Sequence, residues 1–332
     1  MRLTSVVFAI LVATAFAGRA YAGSAELLNV SYDPTRELWR QLNERFIASY
    51  DTASGTKLTI KQSHGGSGSQ ARAVVDGLEA DVVTLALWPD IEAVRKAGLI
   101  EVGWEKRLPN KSVPYTSTIV FVVRKGNPKG IKDWSDIVKP GVQIITPNPK
   151  TSGNGKLSFL AAWGSMTQRG GSEADALAFV RKLYEQTPVL DLGARGSTVT
   201  FVQKLIGDVH LTWENEAHLE VEEASGAVEI VYPPISFLAE PPVAWVDTNV
   251  KNKGTADAAK AYLEFVFSDE GQEIVAKNFY RPIAPALKQK YAANFPDLKL
   301  FPVTAVAKNW DDAYDKFFGE GKIFDNIYQP KR

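Results

Sequence analysis

Short β-branched runs alternate with stretches of helical periodicity along almost the whole chain, and that alternation restricts the fold to the α/β class. Residues 27–32 read as a strand and 36–49 as a helix, with Leu38, Trp39, Leu42 and Phe46 on one face. A second strand is expected at 58–62 and a helix at 70–78. Residues 81–87 form a nearly continuous apolar run, the pattern of a strand covered by helices on both faces. The chain has 332 residues, no internal repeat and no low-complexity linker. That length exceeds one ordinary core, so two lobes are expected. Residues 116–125 and the Pro-punctuated stretch 231–247 read as strands crossing between the lobes. The first lobe is then discontinuous, 23–115 and 241–332, with residues 116–240 inserted as the second lobe. The helical run 255–279 and the C-terminal segment are expected to return to the first lobe. Two crossings form a hinge with a cleft between the lobes, a layout suited to closing around a ligand.

Residues 1–22 read as an export signal. Arg2 supplies a basic start, 6–17 an apolar stretch, and Ala20-Tyr21-Ala22 small residues where a signal peptidase reads, so cleavage is expected after Ala22. Ala15-Phe16-Ala17 offers a second site. The apolar run ends at Gly18-Arg19, short of the roughly 18 residues a membrane anchor needs. The chain has no cysteine, which excludes a lipid-modified cysteine at the cleavage site, disulfides and thiolate metal sites. An untethered exported protein is retained only behind an outer membrane, which points to the periplasm of a Gram-negative cell. Loss of the signal removes two of the 38 basic groups and none of the 38 acidic ones, leaving a net charge of −2 with histidine neutral. This balance gives no reason to expect nucleic acid or an anionic membrane as partner. Any anion must be held by local geometry.

Four segments combine a strand end, small residues and a helix start: YDPTRE at 32–37, SHGGSGS at 63–69, KTSGNG at 150–155 and GARGST at 193–198. Asp33 suits an N-cap and Pro34 the first helical position, where its missing N–H costs nothing. A helix N-terminus leaves N–H groups unpartnered and carries partial positive charge, and small residues let an anion approach that backbone. Taken singly, each segment is more simply a capped helix start. Four of them shift the balance toward a site for a small oxyanion.

Other motifs fall away. Ser69 occupies the place of the closing glycine of a nucleophile elbow. Lys150 replaces the opening glycine of a phosphate loop, and Leu157 follows Gly155-Lys156 where a serine or threonine belongs. His64, His210 and His218 lack metal-ligand spacing, and His210 and His218 read as structural residues. Glu214 and Glu216 read as caps or ion-pair partners rather than catalytic carboxylates. Trp213, at the end of a strand over 209–212, sits where strand ends meet ligands in open sheets.

At these same segments the sequence resembles the periplasmic sulfate-binding proteins of sulfate/thiosulfate ABC transporters. The resemblance rests on NVSYDPTRE at 29–37, QSHGGSG at 62–68, ADVVTLAL at 80–87, RLP at 107–109, PYTSTIVF at 114–121, ITPNPK at 145–150, GARGST at 193–198 and WENEA at 213–217. It implies a type II periplasmic binding protein fold, two α/β lobes with a two-crossing hinge and an interlobe ligand cleft. It also implies a non-enzymatic monomer that delivers sulfate, with thiosulfate a second candidate, to a permease and ATPase in the inner membrane. No cofactor or metal takes part. Carried onto matching positions, the backbone N–H groups of Asp33 and Ser67 would donate from the first lobe. The Ser152 hydroxyl, the N–H groups of Gly153 and Ala194, and the Trp213 indole N–H would donate from the second. Where the family often has Gly-Gly, this chain has Gly153-Asn154; Asn154 keeps its N–H and tolerates left-handed backbone, and its side chain would add a donor or crowd the ligand.

A site made of donors alone would select sulfate, because hydrogen phosphate brings an O–H that needs an acceptor. The expectation is that Asp33 gives its N–H while its carboxylate caps its own helix. Two other readings compete: a carrier of molybdate or phosphate on the same fold, and a secreted hydrolase using Ser67 or Ser152 with His64.

Overall fold

The computed structural model describes residues 23–328, so the export segment expected at 1–22 lies outside the described residues. Two four-stranded sheets dominate. The first holds β1 (Gly23–Tyr32), β2 (Thr56–Gly65), β3 (Val82–Thr84) and β10 (Val243–Trp245) in the order β10-β3-β1-β2. The second holds β5 (Ile119–Arg124), β6 (Ile144–Ile145), β7 (Val209–Trp213) and β8 (Val228–Val231) in the order β6-β7-β5-β8. Each is mixed: β1 runs parallel to β2 and β3, and β6 parallel to β7, whereas β10 and β5 run antiparallel to their neighbours. Antiparallel pairing is where the chain enters or leaves a lobe without a crossover helix.

Helices cover both faces of each sheet. On the first lie α1 (Arg36–Ser54), α2 (Ser67–Val75) and α3 (Trp88–Lys96); with the second go α4 (Gly153–Thr167), α5 (Glu173–Glu185), α6 (Ala194–Thr198) and α7 (Glu214–Glu223). The apolar face read from the sequence of α1 is the buried one, with Leu38, Trp39, Leu42 and Phe46 packed on the first sheet. The expected strand at 81–87 pairs only over 82–84, although Leu85, Ala86 and Leu87 stay fully buried as they lead into α3. The helix expected at 70–78 starts earlier, at Ser67.

The crossing stretches lie side by side. Ser117 and Ala239 exchange both backbone hydrogen bonds, at 3.0 and 2.9 Å. Next to them β4 (Tyr115–Thr116) pairs with β11 (Arg281–Pro282). The run 255–279 is two helices, α8 (Ala256–Val266) and α9 (Asp269–Lys277), because the Ser268 hydroxyl accepts from Gly271 N–H at 3.1 Å and starts a new helix. Both return to the first lobe, with Tyr262 against Trp39 and Phe46.

The C-terminal segment does not follow them, contrary to expectation. β12 (Lys299–Phe301) pairs with β9 (Ile235–Phe237), and Phe317, Phe318 and Phe324 pack around Phe159 of α4 and beside Trp163 and Tyr184. α4 is buried nearly all round, so it needs apolar cover on the side away from the sheet, and the aromatic tail supplies it. Gly164 leaves room for the Phe301 ring.

Candidate functional site

From the first sheet, β1 ends at Tyr32 and turns through a 3₁₀ helix, Asp33–Thr35, into α1. Tyr32 is the residue in cap position, and the Asp33 carboxylate does not cap: it accepts from Arg36 Nη2 at 2.8 Å. An arginine three residues on satisfies the charge better than backbone N–H groups that Pro34 has reduced by one. The Thr35 hydroxyl pins the turn through the Tyr32 carbonyl at 2.7 Å. β2 ends at Gly65, and α2 opens at Ser67, whose hydroxyl accepts from Ala86 N–H at 2.9 Å and donates to Asp90 Oδ2 at 2.5 Å. That side chain is held within its own lobe, and the Ser67 N–H, at the first position of α2, has no intrahelical acceptor.

From the second sheet, Ser152 caps α4; its oxygen accepts from Gly155 N–H at 3.4 Å, so its proton remains to be given. Gly153 and Ala194 are first residues of α4 and α6, and such positions have no intrahelical acceptor for their N–H. Asn154 is helical rather than left-handed, and its amide donates to the Leu211 carbonyl of β7 at 2.9 Å, so its side-chain donor is committed to the lobe. Trp213 ends β7 and opens α7, fully buried, its indole N–H without a partner and its ring 5.2 Å from that of Tyr32. A buried donor without an acceptor costs ~1–3 kcal/mol, and this indole N–H shares that state with others such as Trp39 Nε1; what sets it apart is its place beside Tyr32.

Asp33, Ser67, Ser152, Gly153, Asn154 and Ala194 line one small pocket with a cavity volume of about 10 Å³. Of the seven expected residues only Trp213 is absent from that lining; it stands against Tyr32, which belongs to it. The volume is far below the roughly 300–1,000 Å³ of sites for drug-sized ligands.

The lobes are closed over this pocket, and three glycines permit it. A Cβ on Gly66 would come within 2.5 Å of the Thr151 carbonyl oxygen; one on Gly153 would overlap the Ala86 side chain, and one on Gly193 the Asp33 carboxylate. Side chains complete the seam. Asp90 meets Lys156 at 3.2 Å with both nearly inaccessible, Arg195 bridges Glu37 and Glu216, and the Asn215 amide donates to the Pro34 carbonyl at 3.0 Å. Glu214 pairs with Arg281 at 2.7 Å. Both acidic residues of 213–217 are thus ion-pair partners. Burial, opposed by Arg195, pushes the Glu216 carboxyl up to about 8.

Sequence reading missed the seam. Lys156 carried a signal: a cation in the first turn of a helix opposes the dipole and so implies an acidic partner, but nothing local identifies Asp90. The hydrolase reading loses its geometry here, because the Ser67 proton goes to Asp90 and His64 Nε2 has no partner.

Burial brings His64 and His218 down to about 4, with Arg36 and Arg195 adding to the effect at His64. Both are neutral in the folded protein, whereas unfolded histidine takes up its proton near 6.5. Their contribution to stability is therefore complete above about pH 6.5 and is lost as pH falls toward 4. Urea unfolding of ligand-free protein is expected to give lower stability at about pH 5 than at pH 7.5, with a smaller difference in His218→Gln. Equal differences in the two proteins would show that His218 is not the titrating group.

Two α/β lobes joined by paired strands and meeting over a small pocket define a solute-binding protein of the two-lobed type. The family described as "Bacterial extracellular solute-binding protein" matches residues 30–281. The chain is 53% identical over 308 residues to the sulfate-binding protein of Escherichia coli K12, covering 92% of this chain and 94% of that one. It is 48% identical over 320 residues to the thiosulfate-binding protein of Pseudomonas aeruginosa, covering 95% and 96%. Among solved structures, the sulfate-binding protein SubI from Mycobacterium tuberculosis H37Rv superposes with a TM-score of 0.81 at 32% identity, over 88% of this chain and 99% of that one. The chain belongs to the bacterial extracellular solute-binding protein family, in the group of the sulfate- and thiosulfate-binding proteins.

Proposed function

We propose that this protein captures sulfate between its lobes in the periplasm, as a monomer freed of residues 1–22, and delivers it to an ABC transporter. The observation that carries the reading is the small interlobe pocket lined by first-turn residues of several helices, with the unpartnered Trp213 indole beside it. The N–H groups of Asp33, Ser67, Gly153, Asn154 and Ala194, the Ser152 hydroxyl and the Trp213 indole are the proposed donors. Lobe boundaries near 116 and 240 are supported by the pairing of Ser117 with Ala239, and with them the proposed donors would come from both sides of the cleft.

A dianion is costly to bury unless it is fully hydrogen-bonded. Hydrogen bonds to charged groups contribute about 1.5–3 kcal/mol each, so several offset that cost. Neutral donors leave no fixed ion pair to break on release. Asp33 Oδ1 is held by Arg36, and both Asp90 oxygens by Ser67 and Lys156; exclusion of hydrogen phosphate requires that Asp33 Oδ2 also stay turned from the anion.

Calorimetric titration of dialysed protein should give tight one-to-one sulfate binding. Selenate and chromate should compete, and phosphate should not. Phosphate binding as tight as sulfate would rule out the donor-only site, and tight molybdate with no sulfate binding would rule out the sulfate assignment. Trp213→Phe removes one charge-assisted donor and is expected to weaken sulfate about 10- to 100-fold while far-UV circular dichroism stays unchanged. Unaltered affinity would remove Trp213 from the site.

A further inference from the structure

Behind the pocket, on the far face of the second sheet, lies a buried polar network that anion binding itself does not use. Glu220 of α7 is inaccessible to solvent. It accepts from the Thr198 hydroxyl at 2.8 Å, and His210 Nδ1 lies 2.8 Å from its Oε1 and 3.1 Å from its Oε2. Thr198 ends α6, the helix that opens with Ala194, and His210 lies on β7, the strand that ends in Trp213. One turn earlier on α7, Glu216 holds Arg195 of α6. A single helix therefore grips α6 by two carboxylates and β7 by one of the same two. Arg124 of β5, seated 3.8 Å over the Phe201 ring, and Asp208, just before β7, are charged groups that interact on this face.

We propose that Glu220 is a positioning residue for anion binding. Through Thr198 and His210 it fixes α6 and β7 against each other, and so aims the Ala194 N–H and the Trp213 indole N–H at one target. The physical reason is distance sensitivity: two donors on separate elements reach one anion only if their elements share a register. α6 is only five residues long before it passes into a π-helical turn, Val199–Gln203, so it has little rigidity of its own. This inference rests on the sulfate reading above and assigns a role to residues that do not touch the ligand.

The test is sulfate titration of wild type, Thr198→Val, Glu220→Leu and Glu220→Gln, each alone and combined with Trp213→Phe, with melting temperature measured in parallel. Thr198→Val and Glu220→Leu are expected to weaken sulfate by about 10-fold or more. Glu220→Gln, which still accepts from Thr198, should recover most of that loss. In the Trp213→Phe background the loss from Thr198→Val should shrink, because one of the two donors being aimed is already gone. A purely structural role would instead lower the melting temperature and leave the two losses additive. Folded Thr198→Val with sulfate affinity within twofold of wild type, or full additivity with Trp213→Phe, overturns the proposal. Should Glu220→Leu not fold, the Thr198→Val and Glu220→Gln pair decides. Absence of wild-type sulfate binding would instead overturn the reading on which the proposal rests.

Discussion

Gly153→Ala is expected to weaken sulfate binding by about 100-fold while leaving the ligand-free protein as stable as wild type. The added methyl group would overlap the Ala86 side chain and press on Ser67, both in the other lobe. Overpacking a fixed contact costs ~1–3 kcal/mol, and here the cost falls only on the closed state. Within its own lobe, position 153 opens α4, where alanine is at least as acceptable as glycine. Gly155, two residues on, makes the contrast. A Cβ there would meet Pro147, Asn148 and Pro149 of the same lobe, so Gly155→Ala should lower the melting temperature whether or not ligand is present. Calorimetry and thermal unfolding of the two variants separate the cases. If Gly153→Ala bound sulfate normally, the tight seam would not be the binding conformation.

The second large effect concerns Lys156. Its side chain and that of Asp90 retain only 4% and 5% of their accessibility in the closed protein. Lys156→Met would leave Asp90 buried with only the Ser67 hydroxyl as partner, and removing one member of a buried pair costs ~3–5 kcal/mol. Since the pair spans the lobes, much of that cost opposes closure, and sulfate affinity is expected to fall on the order of 100-fold. Combining Lys156→Met with Asp90→Asn keeps an acceptor for Ser67 and removes the stranded charge, so affinity should return to within about 10-fold of wild type. The double variant binding no better than the single one would mean the pair attracts rather than merely neutralises. Salt provides a further check: this buried pair is poorly screened, whereas Arg195–Glu37, about one third exposed, is screened more strongly.

How much of this was legible beforehand follows the range of the forces involved. Strand and helix positions came from local periodicity, as in α1, where the four residues read as one face are those that are buried. Errors arose where tertiary contacts set the boundary. The apolar run at 81–87 stays buried throughout but finds strand partners only over 82–84. The tail beyond 299 packs on the side of α4 away from the sheet rather than following the chain's return to the first lobe.

Six of the seven expected site residues meet in one pocket because helix starts announce themselves through glycine, serine and threonine at strand ends. Trp213 was marked by its strand-end position, and its unpartnered N–H became visible only in the fold. Asn154 and Asp33 show the limit. Their backbone placement followed from the segment, but their side chains answered to Leu211 on a distant strand and to Arg36 one helical turn away.

By itself, the sequence determined the α/β class, the four helix starts rich in small residues and the resemblance to sulfate carriers, because each is written in contiguous residues. Only the tertiary structure decided which helix starts share a pocket, how the seam is neutralised by Asp90 with Lys156 and by Glu37 with Arg195, and why side chains at Gly66, Gly153 and Gly193 would obstruct the closed state. Those are contacts between residues far apart in the chain, and contacts of that kind are fixed by packing between lobes, which no local pattern encodes.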